Sequence, residues 1–281
     1  MIRRNLQRAA AAWEARQRVS GEPRSTNGAS SFHLIWEVDP VPLREVEATL
    51  EVVVPPAVPR LYFWALQASF GAGPRLMGGA HLGLQWHPRL AGSTAVNFGG
   101  YGPAERGTRV LEGSTSELPG PRRNPNTREF PWRLGHRYRL TVAPAPAPEA
   151  PEGLRAWRGT VEDLDGGEHR VVRDLYTRGE YLHSPMVWSE VFARCEHPSV
   201  VVRWSDLRAV STAGEELRPA HVRVNYQARA EGGCDNTSVA LDELGILQVT
   251  AAQREVLPGA VLPVPGAAGE VPPPAGGAIG G

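Results

Sequence analysis

The sequence predicts an all-β protein, an antiparallel β-sandwich or jelly roll, and three observations carry that expectation. Short runs in which apolar and polar residues alternate recur along the chain. Gly and Pro turn signals separate them, and no long stretch of helical periodicity interrupts the series. With 281 residues the chain is also long enough to bury a substantial core.

Taken in order, residues 1–29 read as an appendage. Asn5 to Val19 holds good helix formers with Leu6, Ala10, Trp13 and Gln17 on one stripe, which predicts a short helix followed by a linker. Period-two alternation then marks Phe32 to Val38, Val46 to Val54, Leu61 to Phe70, Ala80 to His87, Ala95 to Tyr101, Tyr138 to Val142, Leu154 to Asp163, Glu168 to Leu175, Met186 to Ala193, Ser199 to Trp204 and His221 to Gln227. Gly113 to Arg128 and Ala143 to Gly153 carry the composition of loops. Strand patterns resume after each, so one domain is expected over 30–250. Residues 251–281 are rich in Pro, Gly and Ala, and a disordered tail is expected there because such a composition cannot offset the entropy lost on ordering.

Charge excludes several function classes. Thirty acidic and 30 basic residues are interspersed, so there is no basic footprint for nucleic acid. Every basic residue is Arg and none is Lys, which removes Schiff-base chemistry and phosphate-binding lysines. No cofactor is indicated, and the sequence does not fix the oligomeric state. The N-terminus lacks the apolar core of a signal peptide and no run reaches membrane-spanning length. No membrane insertion is expected; the default location is cytoplasmic, with an extracellular one as the alternative.

Alternation sorts Leu61 to Tyr101 into two faces. Trp64, Leu66, Leu82, Leu84, Trp86, Val96 and Phe98 form an apolar row. Gln67, His81, Gln85, His87, Asn97 and Tyr101 oppose it, with Gly83 and Gly99 leaving room between them. Planar amides and imidazoles beside an aromatic ring suit sugar hydroxyls, so a glycan is the expected partner and the function expected is a non-catalytic carbohydrate-binding or surface-interaction module. An ordinary solvated sheet face is the plain alternative.

Gly83-Leu84-Gln85, Asn97-Phe98-Gly99-Gly100-Tyr101 and the W-x-x-G-x-x-Y pattern of Trp132, Gly135 and Tyr138 resemble uncharacterised actinobacterial proteins with a domain of unknown function. Trp188-Ser189-Glu190, Arg203-Trp204-Ser205-Asp206, Asn225-Tyr226-Gln227 and Gly232-Gly233-Cys234 extend that resemblance over most of the chain. It implies a concanavalin-like sandwich and no activity. Gln85-Trp86-His87 is similar to the Q-x-H strand of alginate-lyase-type polysaccharide lyases. That resemblance implies β-elimination, with Gln85 neutralising a uronate, His87 as base and Tyr101 as acid. Asn97 to Tyr101 lacks the family's Lys and follows the Q-x-H strand too soon, and Arg44 to Glu47 only loosely matches its arginine strand. The lyase is therefore the alternative function, and a structural or assembly protein without a small ligand is a second.

Of the remaining residues, Trp188 and Glu190 are candidate ligand contacts, Glu190 also a candidate general acid; the plainer assignment puts Trp188 in the core and pairs Glu190 with an Arg. Carboxylates adjacent in sequence, such as Glu162 and Asp163, point to opposite faces and make no catalytic dyad. Cys195 and Cys234 are the only cysteines. They read as a disulfide in an oxidising compartment or as inert thiols otherwise; Cys195, His197 and Asp235 make at best a ragged zinc site, and no metal is expected.

Overall fold

The computed structural model describes residues 17–103, 110–120, 124–146 and 149–266. The strands are β1 (Ser30–Glu37), β2 (Leu43–Val54), β3 (Tyr62–Ala72), β4 (Arg75–Trp86), β5 (Thr94–Tyr101), β6 (Thr127–Glu129), β7 (Arg137–Pro144), β8 (Arg155–Asp163), β9 (His169–Thr177), β10 (Tyr181–Val191), β11 (Val201–Ser211), β12 (Glu216–Leu217), β13 (His221–Tyr226), β14 (Thr237–Asp242), β15 (Gly245–Thr250) and β16 (Val261–Pro263). All pair antiparallel. One layer runs β6-β5-β4-β3-β10-β1-β13-β16, and the other β14-β15-β11-β2-β7-β8-β9. A single pair, Leu182 opposite Leu43, joins them through β10 and β2. The protein is thus the all-β sandwich the alternation predicts. No helix among the described residues is long and apolar enough to cross a membrane.

The apolar phase of each strand builds the core. Phe32, Leu34, Trp64, Leu66, Leu82, Leu84, Val96 and Phe98 from the first layer meet Val46, Leu50, Leu140, Trp157, Val161 and Trp204 from the second. A buried polar knot ties the layers. Gln248 on β15 accepts from Ser189 Oγ at 2.6 Å and from Trp204 Nε1 at 2.9 Å, and its Nε2 donates to Phe32 O at 2.9 Å. The W-x-x-G-x-x-Y pattern is structural. Trp132 Nε1 donates to Gln85 O at 3.0 Å, Gly135 takes φ +74°, and Arg133 N–H donates to Tyr138 Oη at 2.7 Å, which together turn the chain into β7.

Both ends depart from expectation. The helix expected over Asn5 to Val19 lies mostly outside the described residues, and residues 17–19 are not helical. The rest of the supposed appendage is packed: Cys195 N–H donates to Gly21 O and Arg24 N–H to Gly232 O, both at 2.9 Å. In the supposed tail, β16 pairs with β13 and Val264 is buried, because the open edge of β13 offers backbone partners that composition does not reveal; residues 267–281 lie outside the description. The cysteines form the Cys195–Cys234 disulfide, which removes the zinc alternative.

Two outcomes follow. Replacing Gln248 with Leu strands Ser189 Oγ, Trp204 Nε1 and Phe32 O in the core, so urea unfolding will show a loss of about 3 kcal/mol or more. A loss under about 1 kcal/mol means the knot is dispensable. Reducing the disulfide frees a loop with a sequence separation of 39 residues. The entropic model puts that at about 4 kcal/mol, read as a lower denaturant midpoint in reductant; an unmoved midpoint contradicts it.

Candidate functional site

Residues directly opposite on antiparallel strands share a face, so register fixes what the outer side of the first layer presents. One row runs Ala95, Gln85, Phe63, Glu190 and Ser31. The next runs Asn97, Gly83, Ala65, Trp188, His33 and Asn225, and a third Gly99, His81, Gln67, Met186 and Ile35. The sequence-predicted Gln67, His81, Gln85, Asn97, Trp188 and Glu190 therefore do lie on one face. Tyr101 stands opposite Gly79, at the far end of β4. His87 lies just past β4, where its N–H donates to Ser93 O at 2.7 Å.

The glycan groove expected there does not exist. Gln85 and Asn97 are buried, and Thr127 of β6 sits between them: Asn97 Nδ2 donates to Thr127 Oγ1 at 2.8 Å, and Thr127 Oγ1 donates to Gln85 Oε1 at 3.4 Å. Gln67 accepts from Trp188 Nε1 at 2.9 Å and donates to Tyr101 Oη at 3.4 Å. The room expected at the glycines is filled. A Cβ on Gly83 would lie 1.8 Å from Trp64 O, and one on Gly99 would lie 2.8 Å from His81 Nε2 and 3.1 Å from Asn126 Nδ2. The lyase trio fails on register as well. Tyr101 faces Gly79, six residues along β4 from Gln85, which is about 20 Å at the usual strand rise, so Gln85, His87 and Tyr101 cannot converge.

What the face does hold is an aromatic cluster with titratable groups at its margins. Phe63 and Trp188 meet edge to face at 5.0 Å, His81 lies 5.7 Å from Phe63 and 6.2 Å from Trp188, and His33 lies 6.3 Å from Trp188. Burial pushes the His81 imidazole down to about 4, and among the described residues its ring has no hydrogen-bond partner. Burial also lowers His33, against a backbone hydrogen bond at Asn225, and its buried Nδ1 has no partner. Glu190, the candidate ligand contact or general acid, has no Arg partner of the kind the plainer assignment gave it and accepts a 2.7 Å hydrogen bond from Asn27 Nδ2. Burial raises its pKa above the ordinary glutamate range, against that hydrogen bond, and no charged side chain bears on it.

His33, Phe63 and Asn27 were not singled out from sequence. His33 occupies the polar phase of an obvious strand, so alternation alone could have found it. Asn27 could not be found that way, since its place comes from the turn at Ser25–Ala29 folding back over β10.

No family model and no curated protein sequence matches the chain. Solved structures do. Scytalido-glutamic peptidase with a peptide-based transition-state analogue is 11% identical with a TM-score of 0.38, covering 82% of this chain and 98% of that one. SCP-B, a member of the eqolisin family of peptidases, in complex with the tripeptide Ala-Ile-His, gives 11% and 0.37 over the same shares. At this level the likeness carries no residue's role from those enzymes to this chain.

The expected carbohydrate-binding module, with its lyase and assembly alternatives, is not upheld. Gln67, Gln85 and Asn97, meant to hold a glycan, are already hydrogen-bonded within the protein. The lyase alternative is removed because Gln85, His87 and Tyr101 do not converge.

The carboxyl of Glu190 generates a stability test. A carboxyl with a raised native pKa is neutral in both states at low pH; as pH rises from the ordinary value of 4.5 through the native value, the unfolded chain ionises first and stability falls. Glu190→Gln keeps the acceptor for Asn27 and cannot ionise. Its Tm will exceed that of wild type near pH 7, and the gap will close near pH 4; a gap independent of pH contradicts an uncompensated Glu190.

Proposed function

We propose that this face is a hydrolytic site for an extended peptide segment, with Glu190 as general acid and the neutral imidazole of His33, on the neighbouring strand β1, as general base. The observation that carries the reading is that Glu190, His81 and His33 share one sheet face, are all held toward their neutral forms by burial, and have no opposite charge bearing on them. Carboxyl and imidazole displaced in this way give a pH range in which the acid still carries its proton and the imidazole is already free to accept one.

Amide hydrolysis needs that combination, because the leaving nitrogen must be protonated as the C–N bond breaks. Glu190 donates that proton, His33 accepts one from the attacking water, and the water oxygen bonds the carbonyl carbon. Substrate class follows from what the face offers. Its amides at Gln67, Gln85 and Asn97 are engaged, so hydroxyl-rich sugars find few partners, and the buried Phe63 and Trp188 rings form an apolar floor beneath the carboxyl and imidazoles. Asn27 is a positioning residue, since among the described residues its side chain hydrogen-bonds the carboxyl of Glu190 and its own turn.

Cleavage of a quenched-fluorescent peptide library between about pH 3 and pH 8 tests the reading. Wild type will show a bell-shaped profile with its acid limb below the ordinary imidazole value of 6.5, because burial lowers His33. Glu190→Gln will lose about 10²- to 10⁴-fold in rate. Asn27→Ala will move the alkaline limb upward, because the hydrogen bond it removes favours the ionised carboxyl. Absence of cleavage by wild type, or undiminished cleavage by Glu190→Gln, sinks the proposal.

A further inference from the structure

Away from the Glu190 face, on the side of the sandwich where the β5–β6 edge of one layer meets β9 of the other, two arginines are buried without a counter-ion. Arg173 on β9 is 3% exposed and Arg128 on β6 is 7% exposed. Among the described residues neither lies within salt-bridge distance of a carboxylate. Arg173 donates from Nη1 to Asn126 Oδ1 at 2.6 Å, and Arg128 donates from Nη1 to the Asn124 and Thr127 carbonyls at 2.8 and 3.1 Å. Both Nε–H groups are buried with no partner. Asp174, next to Arg173 in sequence, has both oxygens held by Arg158, at 2.8 and 2.9 Å.

Elsewhere the chain treats its buried guanidiniums differently. Arg203 is gripped by Glu51 and by Asp242. Two like charges stand near each other with burial lowering both; Arg128 further lowers Arg173, Tyr176 and Asp174 offset this only in part, and the arrangement is unfavourable until an anion joins it. An access route is present. Arg173 lines a cavity of about 360 Å³, bordered also by Ser114, Thr115, Ser116, Arg158, Asp174 and Tyr176. Glu117 and Glu149 stand at its exposed rim, where water screens them.

We propose that this cavity is a binding site for the oxyanionic head of a small organic molecule, a phosphate or a carboxylate, with Arg173 as the principal anchor, Arg128 supplying a second positive charge and the hydroxyls of Ser114 to Ser116 orienting the head. Guanidinium forks match the oxygens of either group, and the cavity is larger than a bare anion requires.

Thermal unfolding in inorganic phosphate, in succinate and in chloride at matched ionic strength tests the site. Phosphate or succinate, whichever is bound, will raise Tm by about 5 °C or more at a hundredfold excess over its Kd, while chloride will not. Arg173→Gln will abolish that rise, and Arg128→Gln will weaken it. Should either variant fail to fold, the arginine Nε–H resonances of wild type supply the readout, with two of them shifting on titration with the same anion. A Tm rise shared by chloride, a rise kept in Arg173→Gln, or no response of Tm and Nε–H signals to either oxyanion overturns the proposal.

Discussion

The amide of Gln248 is the interaction on which the sandwich turns. Its one side chain, wholly inside the core, reaches a hydroxyl on β10, an indole on β11 and a backbone carbonyl on β1, and so fixes the spacing and offset of two layers otherwise held by apolar packing. Apolar contact is indifferent to small sliding motions; three directional hydrogen bonds in a low-dielectric interior are not. With β10 and β1 held there, Trp188, Glu190 and His33 are carried on the outward side of the same strands. The position of the candidate site is thus set from within.

The two outer faces resolve their polar residues in opposite ways. On the second layer, Arg203 meets Glu51 and Asp242, Arg208 meets Glu45, Glu47 and Glu216, and Arg139 meets Glu47 and Glu162, a web of cross-strand ion pairs. Individually such partly exposed pairs are weak, but they leave little charge uncompensated. On the first layer, the centre of the face has one carboxyl, two imidazoles held neutral and a cluster of rings. Water and salt would see one layer as an ordinary charged surface and the other as a patch of low polarity.

Much of the fold was legible because period-two alternation depends only on neighbours in sequence. It placed Trp64, Leu84 and Trp86 against the core side and Gln67, His81 and Gln85 on the other. What alternation cannot convey is which distant segment lies over a face. Thr127 arrives between Gln85 and Asn97 from a stretch read as loop, and Asn27 arrives at Glu190 from a stretch read as linker. The Gln85-Trp86-His87 triplet misled for a related reason: a catalytic trio is a statement about register between strands, and the β4–β5 pairing puts Tyr101 far from the other two.

Burial without compensation recurs at only a few of these side chains, and its sign separates them. At Glu190 a lone carboxyl is pushed toward neutrality by rings and held by a neutral amide, a setting suited to handling a proton. At Arg128 and Arg173 the groups cannot shed their protons at any ordinary pH, so the same physics leaves charge behind rather than removing it. A group that can neutralise itself relieves its burial by titrating, whereas one that cannot requires a partner of opposite charge. That difference is why the first location reads as a place for chemistry and the second as a place for an anion.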